Sequence, residues 1–182
     1  MKKTLAKTIF KITGWTYHAD PNLLEKKQVI IGFEHTSNWD GIFAVALFAA
    51  LGINVRALVK KELFKGPLKN FLLKMGAIPV DRNSKQDVVT QMVEHFNAHE
   101  EFSLAIAPEA TRAKDGQTRG AIKTGFWHIA KAANVPIILM YAQAPKKTGG
   151  LIGKIYPSNL QDDLKTIQAK YAEYGIDIKI PE

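Results

Sequence analysis

Residues 29–51 constrain the fold more than any other stretch. Val29-Ile30-Ile31-Gly32-Phe33 is a continuous apolar run of strand length with no polar alternation. Such a run reads as a strand buried on both faces, the habit of parallel sheets covered by helices on each side. From Ile42 to Leu51 the chain is apolar again, now over a helix's length, and Gly52 supplies a C-terminal stop. Between the two lies Glu34-His35-Thr36-Ser37-Asn38-Trp39-Asp40-Gly41. Strand-to-helix turns of this kind are where α/β proteins place their chemistry. Ser37 or Asn38 suits the helix N-cap, and Asp40 then falls in the first turn, where the helix dipole favours a carboxylate. His35, just off the strand, can turn back towards Asp40, and a histidine oriented by a carboxylate is a general base. The plainer reading of the same residues is a polar loop with an incidental histidine and a capping aspartate.

The rest of the chain repeats the alternation. Residues 2–17 read as an amphipathic helix, with Leu5, Ile9, Ile12 and Trp15 on one side and Lys3, Lys7 and Lys11 on the other. A basic face, an apolar face and an edge tryptophan suit either a membrane interface or packing on the chain's own domain. A first strand is expected at 28–34, a helix at 39–51, a second strand at 54–59 and a helix from Gly66-Pro67, with Leu68, Phe71, Leu72 and Met75 at helical spacing. Gly76 to Val80 is a short strand, 85–98 a helix, and Phe102 to Ala107 another buried strand. A loop at 113–120 leads to a helix at 123–134, strands at 135–141 and 151–156, and a last helix at 160–174. The alternation predicts an α/β layered fold with a largely parallel mixed sheet flanked by helices. The chain divides into an N-terminal helical segment, 1–20, and one domain, 21–182, with no repeat or linker inside it.

Charge narrows the partners. The net charge is +8, and it is unevenly spread. Residues 1–27 hold six lysines against two acids, and residues 56–74 hold five lysines and Arg56 against one acid. Residues 28–55 hold no lysine or arginine. Two basic patches around a segment without a basic residue suit an anionic partner: phospholipid headgroups, coenzyme phosphates, an acidic carrier protein or nucleic acid. Solubility alone also accounts for such charge. No uncharged apolar run approaches the roughly 18 residues of a membrane span, and the lysine-rich N-terminus, without an unbroken apolar core or a small-residue cleavage site, does not read as a signal peptide. The chain has no cysteine, which excludes disulfides, thiolate catalysis and cysteine zinc sites and fits a reducing compartment. His95 and His99 stand at i, i+4, but there is no identifiable third ligand and no His-Glu-x-x-His pattern, so a solvated helix end is expected and no metal.

Three polar clusters follow strands: His35 with Asp40, Asp81-Arg82, and Glu109-Thr111-Arg112. Strand ends on one side of a wound α/β sheet converge on one crevice. Arginine forks bind phosphate in bidentate geometry, so the crevice would hold a base acting on a substrate hydroxyl while arginines grip a nearby phosphate. There is no Gly-x-Ser-x-Gly elbow, no phosphate-binding loop and no dinucleotide fingerprint. An aromatic-rich basic strand of the RNA-binding type is also missing, and a nucleic-acid module would leave the His35 turn unexplained.

These residues resemble the conserved blocks of the glycerolipid acyltransferases, typified by lysophosphatidate acyltransferase. His35-Thr-Ser-Asn-Trp-Asp40 resembles the family's His-four residues-Asp motif. Gly76-Ala-Ile-Pro-Val-Asp-Arg82 resembles the second block, Pro108-Glu-Ala-Thr-Arg112 the third, and Val135-Pro-Ile-Ile138 the fourth, all in the family's order. The resemblance implies transfer of an acyl group from a thioester, on coenzyme A or acyl carrier protein as co-substrate and with no other cofactor, to a lysophospholipid hydroxyl. It implies that His35 is the base and Asp40 its orienter, and that Arg82, Glu109, Thr111 and Arg112 hold the acceptor. A thioester is already activated, so no enzyme nucleophile is needed. The expectation that follows is a cytoplasmic enzyme held peripherally on the anionic inner face of the membrane, with lysophosphatidate as acceptor. Two positions depart from the family pattern: Ala110 stands where glycine is usual, and Pro79-Val80 replace an apolar-aromatic pair. Ala110 leaves room for an alternative, a non-catalytic lipid- or carrier-binding protein that keeps the fold.

Overall fold

The computed structural model describes residues 3–33, 38–74, 76–80, 88–108 and 121–181. Its strands are β1 (Thr16–His18), β2 (Lys27–Phe33), β3 (Val55–Lys60), β4 (Ala77–Val80), β5 (Phe102–Ile106), β6 (Ile137–Gln143) and β7 (Thr148–Ile155). Its helices are α1 (Lys3–Thr13), α2 (Asn38–Leu51), α3 (Gly66–Lys74), α4 (Val88–Ala98), α5 (Gly125–Ala133) and α6 (Leu160–Ala172). The strands form one sheet in the order β1-β7-β6-β2-β5-β3-β4. Strands β2 to β6 run parallel, β7 is antiparallel to β6, and β1 is parallel to β7. The mixed, mostly parallel sheet flanked by helices is the fold the alternation predicts.

Strand β2 sits at the centre, between β5 and β6, which is why Val29 to Phe33 need no polar face. Val29, Ile31 and Phe33 point into a core shared with Met92 of α4, Phe126 of α5 and Ile167 of α6. Ile30 points the other way, into a core shared with Phe43 and Leu47 of α2 and with Ala6 and Phe10 of α1. Helix α2 ends as Gly52 predicts. At φ +78° its N–H donates to Ala49 O and that of Ile53 to Phe48 O, the two bonds of a Schellman cap. Asn134, at φ 53°, closes α5 with the same pair of bonds, to Lys131 O and Ala130 O.

The N-terminal segment differs from the expectation in two respects. Helix α1 stops at Thr13 rather than near 17, because Gly14 takes a left-handed φ of 71°. Among its described side chains Ala6 and Phe10 are buried, while Ile12 is 79% exposed. Aromatic packing selects this face: Phe10 lies 4.9 Å from Tyr17 and 5.3 Å from Phe43, and Trp15, beyond the helix, stacks on Phe43 at 4.1 Å. After the turn the chain forms β1, a three-residue strand paired with β7. That pairing depends on close approach. A Cβ on Gly149 would overlap the Phe43 ring, and one on Gly150 would overlap the His18 carbonyl.

Candidate active site

The five parallel strands end on one edge of the sheet. Phe33 of β2 pairs with Tyr141 of β6, Ile31 with Ile106 of β5, and Lys60 of β3 with Val80 of β4. Ala57 of β3 pairs with Ala105 of β5. Extending these registers puts Tyr141, Phe33, Pro108, Lys60 and Val80 on one line across the sheet. His35 follows Phe33 by two residues, Arg82 follows Val80 by two, and Glu109 follows Pro108 directly. The chain thus leaves towards His35 and towards Glu109-Thr111-Arg112 from adjacent strands. It leaves towards Arg82 three strand spacings, roughly 14 Å, from β2.

His35, Arg82, Glu109, Thr111, Arg112 and Ala110 lie outside the described residues, as do Ser37 and Ser84. Asp40 is the third residue of α2, in its first turn, where the sequence expects it.

The strand that delivers His35 is held from below. Tyr171 of α6 is fully buried, and its hydroxyl lies 2.7 Å from Met140 O and 3.1 Å from Ile31 O. One donor therefore clasps the carbonyls of two adjacent strands just short of the edge. The Tyr171 ring packs edge-on against Phe33 at 4.6 Å, so the last residue before the turn is fixed in place. On β6, Gln143 donates from Nε2 to Tyr174 O at 3.0 Å, tying the neighbouring strand end to the turn after α6.

A cavity of about 360 Å³ opens at this edge. Its lining includes Leu58, Val80 and Ile106 from strand ends and Val88, Phe126 and Ile129 from α4 and α5. Lys123 also lines it, anchored through its backbone N–H to Pro108 O at 3.0 Å. An apolar space with one cation among its described lining residues, beside the strand ends that lead to Arg82 and Glu109, suits a chain of methylenes attached to a polar or anionic head. Sequence reasoning does not single out Lys123, because nothing local distinguishes it from the chain's other lysines. Only the meeting of β3, β4, β5, α4 and α5 does so.

The His95–His99 pair is engaged in closing its helix. His99 Nδ1 donates to His95 O at 2.8 Å, the carbonyl being able only to accept. Both rings pack against Phe102, at 5.8 and 5.4 Å. Among the described residues no three His, Cys, Asp or Glu side chains gather as a metal site would require.

A family model described as Acyltransferase matches residues 14–142, from the end of α1 to β6. No curated protein sequence matches the chain significantly. Among solved structures, the chain is similar to the crystal structure of the 1-acyl-sn-glycerophosphate (LPA) acyltransferase PlsC from Thermotoga maritima. The TM-score is 0.63 at 14% identity, over 96% of this chain and 76% of that one. Similarity at that identity establishes a shared fold.

Proposed function

The chain belongs to the acyltransferase family, and from that premise we propose that it acylates a lysophospholipid, 1-acylglycerol-3-phosphate, at a membrane surface. The donor is a fatty acyl thioester of coenzyme A or of acyl carrier protein. His35 accepts the proton of the acceptor hydroxyl as its oxygen attacks the thioester carbonyl. Asp40 orients the imidazole and stabilises its protonated form, as the carboxylate of a triad does. The tetrahedral intermediate expels the thiolate, which takes the proton from His35 and leaves as the free thiol. Arg82 and Arg112, with Glu109 and Thr111, hold the phosphate and glycerol of the acceptor. The cavity behind Val80 and Ile106, with Lys123, receives an apolar chain with an anionic head.

The observation that carries this reading is positional. The family match spans every residue of the proposed machinery, and the strands preceding those residues end on one line. The enzyme is placed on the cytoplasmic side, where both thioester donors occur, bound peripherally to anionic lipid. No helix of the described residues is long and apolar enough to cross a membrane. The test of the acceptor site is saturation kinetics. Arg82→Ala and Arg112→Ala are expected to raise the KM for lysophosphatidate by about tenfold or more with a smaller change in kcat. An unchanged KM in both would remove the arginines from the acceptor site.

A further inference from the structure

The helices divide between the two sides of the sheet. Helix α2 packs, with α1, on the side of Ile30, while α4, α5 and α6 pack on the side of Val29 and Ile31. Helix α3 joins β3 to the neighbouring parallel strand β4. The step from β3 to β4 runs in the same direction as that from β2 to β3, so right-handed crossovers put α3 on the same face as α2. One face thus carries α1, α2 and α3, the other α4, α5 and α6.

Exposed aliphatic residues follow this division. Among the described residues the large aliphatic side chains left in solvent are Ile12 (79% exposed), Val45 (44%), Leu63 (49%), Leu68 (45%) and Leu73 (44%). Ile12 lies on α1, Val45 on α2, Leu63 in the turn before α3, and Leu68 and Leu73 on α3. Helices α4, α5 and α6 contribute none. Charge follows the same division. Helices α1 to α3 contain five lysines and one acid, whereas α4 to α6 contain three lysines and three acids. Leu68 and Leu73 stand beside exposed Lys65, Lys69 and Lys74. Leu63 follows the end of β3, at the edge where the candidate active site lies.

We propose that the α1–α2–α3 face is a docking surface for an anionic phospholipid bilayer, with the leucines of residues 63–73 as its main inserting element. This deepens the membrane reading given above and rests on it. Aliphatic side chains scattered over three elements among lysines match a flat, fluid, negatively charged surface, into which each inserts separately. A folded protein partner would require a contiguous complementary patch. Among the described side chains of α1, Phe10 and Ala6 turn inward and Ile12 alone of the aliphatics is widely exposed, whereas residues 63–73 supply three exposed leucines, so insertion is assigned chiefly to them. Docking on this face brings Leu63, and with it the carboxyl edge of the sheet, to the lipid from which a lysophospholipid must come.

The test uses the full chain and vesicles of phosphatidylcholine with or without phosphatidylglycerol. Leu68→Ser/Leu73→Ser is expected to lower partition onto the mixed vesicles by about tenfold or more, and Ile12→Ser by less. Both variants are expected to keep wild-type activity on a short-chain lysophosphatidate dissolved as monomers, a readout of the chemistry that needs no membrane. The absence of cysteine allows a second readout by environment-sensitive dye. A dye on Leu68→Cys is expected to shift to the blue with mixed vesicles, while one on Ala132→Cys, on α5, does not. Wild-type partition by the double variant, a shift at position 132 instead of 68, or binding to an acidic carrier protein without binding to vesicles would each overturn the proposal. None of these bears on acyl transfer in solution, so the two readings fail separately.

Discussion

The α4–α5–α6 face and the α1–α2–α3 face cover the same sheet with three helices each, yet their outer surfaces differ. On the first, polar groups are satisfied inside the layer. Asp163, 6% exposed, accepts from Trp127 Nε1 at 2.8 Å and from the Ser158 N–H and hydroxyl at 2.7 and 3.0 Å, joining α5 to α6. Tyr171 ties α6 to the sheet. On the second face, α2 is apolar on nearly every side, α1 covers part of it, and Val45, Leu68 and Leu73 remain in water. The first face shows that this sheet can be covered by helices with polar outer sides. The exposed leucines of the second are therefore not a general requirement of covering this sheet, and they are what the proposed membrane contact would use.

Substitution should separate the faces most at the core. Phe126→Ala, in a fully buried position of α5, is expected to cost about 3–5 kcal/mol in chemical denaturation. Leu68→Ser on α3 should stay within about 0.5 kcal/mol. Comparable losses would mean that α3 packs its leucines inward and would end the contrast. Asp163→Ala leaves the buried Trp127 Nε1–H without its acceptor and frees the exposed Ser158 donors to water, with an expected cost of about 1–3 kcal/mol, read by tryptophan fluorescence during unfolding. Gly52→Ala imposes a left-handed φ on a side chain at the end of α2, and about 1 kcal/mol is expected.

The smallest effect belongs to neither face. Glu25 and Lys154 meet at 2.7 Å on the surface. The hydrogen bond from Lys154 and its charge hold the Glu25 carboxyl below the ordinary glutamate range, and the bond from Glu25 holds Lys154 above the ordinary lysine range. A depressed carboxyl contributes stability that is present above its unfolded pKa and fades as pH falls through the folded one. A raised ammonium contributes stability present below its unfolded pKa and lost as pH rises through the folded one. Glu25→Gln should therefore lower Tm slightly at neutral pH and leave it unchanged in acid below both carboxyl values. A deficit that persists in acid would trace the effect to packing instead.

Much of the fold is legible in the sequence because one cause dominates locally. Val29 to Phe33 announce a central strand by being apolar throughout, and Gly52 announces a helix end by its freedom at positive φ. Strand β1 is not legible. Thr16-Tyr17-His18 carry no pattern, and their pairing depends on Gly149 and Gly150, which lie more than a hundred residues away. The face of α1 misleads because the helix is apolar on more than one side. Only the positions of Phe43 and Tyr17 decide that Phe10 is buried and Ile12 is not. At the site, His35, Asp40, Arg82 and Glu109 to Arg112 are nameable because their spacing forms motifs. The cavity with Lys123 is assembled from strand ends and helix starts distant in the chain, and no local pattern records it.

On the proposed reading His35 is the base of acyl transfer. The direct test is thiol release from long-chain acyl-coenzyme A and from acyl carrier protein, with and without lysophosphatidate, by wild type and by His35→Ala. Release is expected on that reading to depend on the acceptor with at least one donor and to fall by about 10³ or more in the variant. Release by His35→Ala within about tenfold of wild type, or no acceptor-dependent release by wild type with either donor, would contradict it.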